Sequence, residues 1–239
     1  MAVKAVLFDL DGTLLPMDQD IFVKAYFKGL STALTSRGYD PKELVGAVWQ
    51  GTEAMIHNDG SDTNEQVFWK SFCSTYGEKA KEDIPHFDRF YQQEFDRVQS
   101  VCGNHPMAKK TVSYLKEKGI LTVLATNPIF PSVATEKRMR WAGLSPEDFC
   151  LYTTYENCRY SKPNLNYYRD ILDKLQLSPE ECVMVGNDVA DDMVVTELGM
   201  RVFLLTDCLI NHENRDISNY PSGSWDELFV YLTSHIKQD

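Results

Sequence analysis

The chain has 239 residues, room for one large domain or for a domain carrying a smaller insertion. Hydrophobic residues make up 43% and charged residues 25%, the balance of a globular chain with a sizeable core rather than a disordered one. The formal net charge of −11 excludes non-specific nucleic-acid binding, and any site for an anion must bring its own positive charge.

The first element is a short apolar run, Ala5–Phe8, closed by Asp9. It is too short for the core of a signal peptide and has no cleavage site. No apolar run approaches the ~20 residues of a membrane helix. The expectation is a soluble, cytoplasmic protein without a membrane partner. Similar runs follow at 120–125, 182–185 and Arg201–Leu205, each suited to a strand buried on both faces of a parallel sheet. Amphipathic stretches at 108–118, 133–141 and 166–175 predict helices between them. A further helix is expected to start at Asp188, run toward Glu197 and stop at Gly199. This alternation predicts an α/β fold with right-handed crossovers.

Residues 17–101 break the alternation. Helical patterns at 21–37, Pro41–Ile56, Asn64–Tyr76 and 87–100 follow one another without a strand, too long a block for one crossover. The division read from this is a core domain of residues 1–16 and 102–239 and a helical insertion of residues 17–101. Its aromatic residues, among them Trp49, Phe68, Trp69, Phe72, Phe90 and Tyr91, are expected in its core or at its seam, with some lining a pocket as the alternative. The six cysteines contain no C-x-x-C pair and read as reduced, mostly buried thiols.

Chemistry-bearing residues gather at the predicted strand ends, where open α/β sheets bind ligands. Asp9 and Asp11 are two apart, so their side chains point the same way along an extended backbone, and Gly12 then allows a sharp turn before Thr13. Two such acids can hold a cation, or one can attack while the other handles a proton. The second strand ends in Thr126-Asn127, a hydroxyl and an amide able to hydrogen-bond a phosphate oxygen. Ser161-Lys162-Pro163 holds a lysine that the following proline restricts to extended geometry, a candidate for the local positive charge an anion site needs. After the third run comes Gly186-Asn187-Asp188-Val189-Ala190-Asp191-Asp192, whose crowded carboxylates a hard divalent cation would relieve.

In this order the motifs resemble the haloacid dehalogenase-like hydrolase superfamily, in its phosphatase branch with a helical cap after the first strand. The resemblance covers residues 3–205 apart from the insertion, which matches only in position and helical character. It implies a Rossmann-like parallel sheet flanked by helices, with a mostly helical cap. It also implies Asp9 as nucleophile, Asp11 as general acid/base, Lys162 as a catalytic and substrate-binding cation, and Thr126 and Asn127 as phosphate binders. Mg²⁺ would be held by Asp9, Asp11, Asp188 and Asp192, with Asn187 or Asp191 as alternatives in the last cluster, since Asn187 stands where many relatives carry Asp. The implied activity is Mg²⁺-dependent hydrolysis of a small phosphorylated metabolite such as a sugar phosphate, phosphoglycolate or a nucleotide. A phosphomutase would use the same residues. Dehalogenases of the superfamily generally lack the second acid, so Asp11 favours phosphoryl chemistry. A phospho-accepting receiver domain is disfavoured by motif order and length, and a catalytically silent binding protein by the intact residue set. Oligomeric state is left open.

Overall fold

The computed structural model describes residues 2–236. Six parallel strands form one sheet in the order β3-β2-β1-β4-β5-β6: β1 Ala5–Phe8, β2 Leu121–Leu124, β3 Leu151–Tyr152, β4 Cys182–Gly186, β5 Arg201–Leu205 and β6 Ser222–Gly223. The four predicted strands are present. β3 and β6 were not predicted, and two residues each are too few to carry a hydrophobic pattern.

Alternation along β1 sends Val6 and Phe8 to one face and Ala5 and Leu7 to the other, and both faces are covered. The Val6 and Phe8 face packs against α5 (Pro106–Glu117), α6 (Ser132–Trp141) and α8 (Trp225–His235) through Val112, Leu115, Met139 and Leu228. The opposite face packs against α7 (Leu165–Leu175) and a 3₁₀ helix, Met193–Leu198. Burying a side chain such as Phe8 is worth about 1.5–3 kcal/mol, which is why these strands read as unbroken apolar runs. Phe8 pairs in register with Leu124 on one side and Val185 on the other. The chain therefore leaves β1, β2 and β4 at one level, and Asp9, Thr126 and Asn187 start from the same edge.

Between β1 and β2 run α1 (Gln19–Leu34), α2 (Pro41–Ile56), α3 (Asn64–Tyr76) and α4 (Ile84–Arg89). Asp18 caps α1 by accepting from Ile21 N, Asp40 caps α2, and a Thr63/Gln66 capping box starts α3. The single helix expected over 87–100 is instead the end of α4, a π-helical turn Phe90–Glu94 and a 3₁₀ stretch Phe95–Val101. Phe90, Tyr91 and Phe95 are all buried there, turned inward by this uneven winding. Trp49 departs from the expected aromatic core: it is 49% exposed, while Phe68, Trp69, Phe72, Phe90 and Tyr91 are buried. All six cysteines are free; Cys73, Cys158 and Cys182 are buried and Cys150 is exposed. Among the described residues no helix is long and apolar enough to cross a membrane.

Candidate active site

Asp9 leaves β1 with its backbone N–H donating to Val185 O of β4 at 2.9 Å, which holds it to the central strand pair. The turn that follows needs Gly12, whose φ is +85°. A Cβ there would also collide with the Asn187 amide. Thr13 Oγ1 donates to Asn187 Oδ1 at 2.9 Å, and Asn187 Nδ2 donates to Cys208 O at 2.7 Å. Asn187 thus ties the loops after β1 and β5 together, and both its polar atoms are occupied.

Lys162 is 2% exposed, and its peptide bond to Pro163 is cis. Its Nζ donates to Asp9 Oδ1 at 2.9 Å and to Asp192 Oδ1 at 2.6 Å. Burial pulls its pKa down, but Asp192 and Asp9 outweigh burial and hold the ammonium well above the usual lysine range. Its loop is fixed by the buried Asn64 at the start of α3. Asn64 Nδ2 donates to Pro128 O and to Ser161 Oγ at 3.0 Å each, and Ser161 Oγ donates to Met55 O at 3.1 Å. The helices between β1 and β2 are therefore hydrogen-bonded directly to the loops that carry Asn127 and Lys162.

The segment after β4 corrects an expectation. No α-helix begins at Asp188; tight turns lead to the 3₁₀ helix at Met193. Asp188 Oδ1 accepts from Ala190 N at 2.8 Å and Asp191 N at 3.0 Å, so the carboxylate closes its own turn in place of a helix. Asp188 and Asp192 still meet, because Asp192 Oδ2 accepts from Asp188 N at 3.0 Å. Both Asp192 oxygens are thereby committed, one to Lys162 and one to the backbone. A Cβ on Gly186 would strike that carboxylate, which accounts for glycine at the end of β4. Burial pushes the Asp192 carboxyl up, against Lys162. Asp191 is pushed up to about 6 by burial, against Lys162 and with Asp188 and Asp9 adding to the rise. Asn127 bridges the two sides, donating to Asp191 Oδ2 at 3.2 Å and accepting from Lys162 N at 3.3 Å.

Sequence reasoning missed Arg138 altogether. It lies on α6, fully buried, and its Nη1 donates to Asp11 Oδ2 while its guanidinium stacks 4.4 Å over the Phe130 ring. The other Asp11 oxygen, Oδ1, is buried without a hydrogen-bond partner. Burial pushes Asp11 up to about 6 against the pull of Arg138, with Asp9 raising it and Lys162 lowering it. The available signal was the poor apolar stripe of α6, where Lys137 and Arg138 are buried beside Ala134 and Met139.

A cavity of about 170 Å³ brings together Asp9, Asp11, Thr126, Asn127, Lys162, Asp188, Asp191 and Asp192, every residue singled out from the sequence. Thr126 is held by its carbonyl, which accepts from Thr153 Oγ1 at 2.7 Å and Tyr167 Oη at 2.9 Å. Five carboxylates line the cavity, against Lys162 inside it and Arg138 behind Asp11. Among the described residues no three acidic, histidine or cysteine side chains already form a metal cage. The excess of negative charge and the all-oxygen donors suit a hard cation of the Mg²⁺ kind, which commonly takes one or two carboxylates and keeps water and phosphate ligands.

The family model described as haloacid dehalogenase-like hydrolase matches residues 3–194. Phosphoglycolate phosphatase of Vibrio vulnificus is 26% identical over 204 residues, 85% of this chain and 84% of the relative. Hexitol phosphatase A of Escherichia coli is 28% identical over 187 residues, 77% of this chain and 74% of the relative. A HAD phosphatase structure from Thermococcus onnurineus superposes with a TM-score of 0.60 at 19% identity, covering 96% of this chain and 98% of that one, which shows the shared fold.

Proposed function

Because the chain belongs to the haloacid dehalogenase-like hydrolase family, we propose that it is a Mg²⁺-dependent phosphatase of small phosphate monoesters acting through an aspartyl-phosphate on Asp9. The observation that carries the reading is the buried Lys162 ammonium held 2.9 Å from Asp9 in a cavity shared with Asp11 and Thr126. The phosphatase names of relatives near 26% identity support the reaction class.

Lys162 and Thr126 bind the phosphoryl oxygens. Among the described residues no protein group hydrogen-bonds Asp9 Oδ2, and this oxygen attacks phosphorus. As the ester P–O bond breaks, Asp11 gives its proton to the leaving oxygen; a carboxyl pushed up to about 6 by burial holds a proton far more readily near neutrality than an exposed one. Asp11 then takes a proton from the water that attacks the aspartyl-phosphate, which releases inorganic phosphate and restores Asp9. Arg138 orients Asp11 for both transfers. Mg²⁺, when bound, neutralises charge on the transferring phosphoryl group. Asp9 and Asp188 are the residues with side-chain oxygens left to hold it, since the free Asp11 Oδ1 carries the proton, and Asp192, fully hydrogen-bonded, orients Lys162. We take residues 17–101 as a cap over the strand ends, a reading that rests on the Asn64 and Ser161 bonds to the site loops.

The test is p-nitrophenyl phosphate hydrolysis with and without EDTA, beside Asp9→Asn. Metal-dependent turnover that the variant lacks is expected. Equal turnover by Asp9→Asn would remove Asp9 as nucleophile.

A further inference from the structure

A second cavity, of about 80 Å³, adjoins the catalytic one and shares Val23, Ile129 and Phe130 with it. It lies among the helices between β1 and β2, the direction in which a leaving group would extend from a phosphate on Lys162. Its walls are aromatic, with Tyr26, Trp49, Trp69, Tyr91, Phe130 and Tyr155 contributing rings from several elements. Asp88 is the one charged side chain among its lining residues, and no lysine or arginine lines it. Arg138 lies behind Phe130 and is paired with Asp11.

Resting on the phosphatase reading above, we propose that the aromatic cavity selects phosphate monoesters whose alcohol carries a compact alkylammonium head. Ring faces carry the negative part of the aromatic quadrupole and attract cations, most strongly where water is excluded. The carboxylate of Asp88 adds a full negative charge. Glu65 and Glu156 stand close enough to reinforce it: burial and then Glu156 push Asp88 up, and burial followed by Glu156 and Asp88 pushes Glu65 up, with no basic group opposing either rise. Glu156 itself is held by Ser132 N at 2.9 Å. A cationic head relieves this repulsion. A carboxylate-bearing leaving group, such as that of phosphoglycolate, would meet ring faces and the Asp88 carboxylate with no cation among the lining residues to receive it.

The cavity is small, about 80 Å³, which favours a compact head over an extended one. Hydrolysis consumes one water and releases the ammonium alcohol and inorganic phosphate.

The experiment compares kcat/KM for phosphocholine, its neutral isostere 3,3-dimethylbutyl phosphate, 2-phosphoglycolate and p-nitrophenyl phosphate, using the full chain with Mg²⁺. Phosphocholine is expected to exceed the isostere by at least tenfold and phosphoglycolate by at least a hundredfold. Asp88→Asn should shrink the phosphocholine-to-isostere ratio several-fold. Turnover of p-nitrophenyl phosphate with the isostere or phosphoglycolate equal to or better than phosphocholine would overturn this inference and leave the phosphatase reading standing. No turnover of any ester would overturn both. An unchanged ratio in Asp88→Asn would remove the charge argument even if phosphocholine were preferred.

Discussion

Replacing Lys162 by methionine tests whether the site is organised around one buried cation. Its ammonium contacts Asp9 at 2.9 Å and Asp192 at 2.6 Å, and the Lys162 and Asp192 side chains are each 1% exposed. Lys162→Met keeps most of the apolar stem but leaves the Asp9 and Asp192 carboxylates with no cation between them. Removing one partner of a buried ion pair costs about 3–5 kcal/mol, because the remaining charge is uncompensated. For a chain of this size that corresponds to a Tm lower by about 6–20 °C. Asp192→Asn should cost less, about 1–3 kcal/mol: the amide oxygen can still accept from Lys162, but the amide NH2 then faces the Asp188 N–H and that hydrogen bond is lost. The double variant is the decisive member. With Asp192 neutral there is one stranded carboxylate instead of two, so the double variant should be more stable than the summed single losses allow by about 1–3 kcal/mol. Urea unfolding in EDTA, followed by far-UV circular dichroism and tryptophan fluorescence, measures this where the two transitions coincide and m is unchanged. Additivity within about 0.5 kcal/mol would refute the shared-cation account, as would a Lys162→Met loss below about 1 kcal/mol.

Three further outcomes follow from the same geometry. Arg138→Gln should slow alkyl phosphates far more than p-nitrophenyl phosphate, whose leaving group needs little protonation; equal slowing of both would deny Arg138 its role in positioning Asp11. Gly186→Ala should displace Asp192 and cost at least ~1–3 kcal/mol by overpacking, together with most of the activity; a variant of native stability and rate would contradict the packing argument. Asp148 accepts from Lys109 at 2.7 Å, Lys116 at 3.2 Å and Ser145 N at 2.9 Å, and these outweigh burial to hold its carboxyl below the usual 3.8. A depressed folded pKa gives stability that is present above the unfolded value and lost as pH falls through the folded one. Asp148→Asn should therefore cost about 1–3 kcal/mol at pH 7 in urea unfolding, a gap that closes below about pH 4; a constant gap down to pH 2 would exclude the linkage.

The central strands were readable because both their faces are covered, which forces an apolar residue at every position of β1 and at nearly every one of β4 and β5. The same logic fails for β3 and β6, which are pairs of residues placed by their neighbours rather than by their own pattern. Helix periodicity located α2 and α3 to the residue. It could not foresee the winding change at Phe90, because Phe87, Phe90, Tyr91, Phe95 and Val98 recur at a spacing that a continuous α-helix also fits. Asp9, Asp11, Thr126, Asn127, Asp188 and Asp192 were legible because strand ends concentrate them, and Lys162, on the loop between β3 and α7, because a lysine followed by proline matches the family pattern. Arg138 and Asn64 were not. Each acts on a group more than sixty residues away, and nothing beside either in the sequence marks its partner.

Asn187 shows how the departure from the family pattern is absorbed. Its side chain accepts from Thr13 and donates to the Cys208 carbonyl, a task that needs an acceptor and a donor on one short stem. A carboxylate could receive the Thr13 hydroxyl but would have no proton for Cys208 O, and would add a sixth negative charge to a cavity already lined by five. The amide therefore fits a joint between the β1 and β5 loops. The next residue, Asp188, keeps its carboxylate at the cavity: its Oδ1 closes its own turn while Oδ2 makes no hydrogen bond to protein among the described residues. One position along the chain separates the two tasks: Asn187 fixes where the Asp9 loop lies, and Asp188 faces the cavity that Asp9 shares.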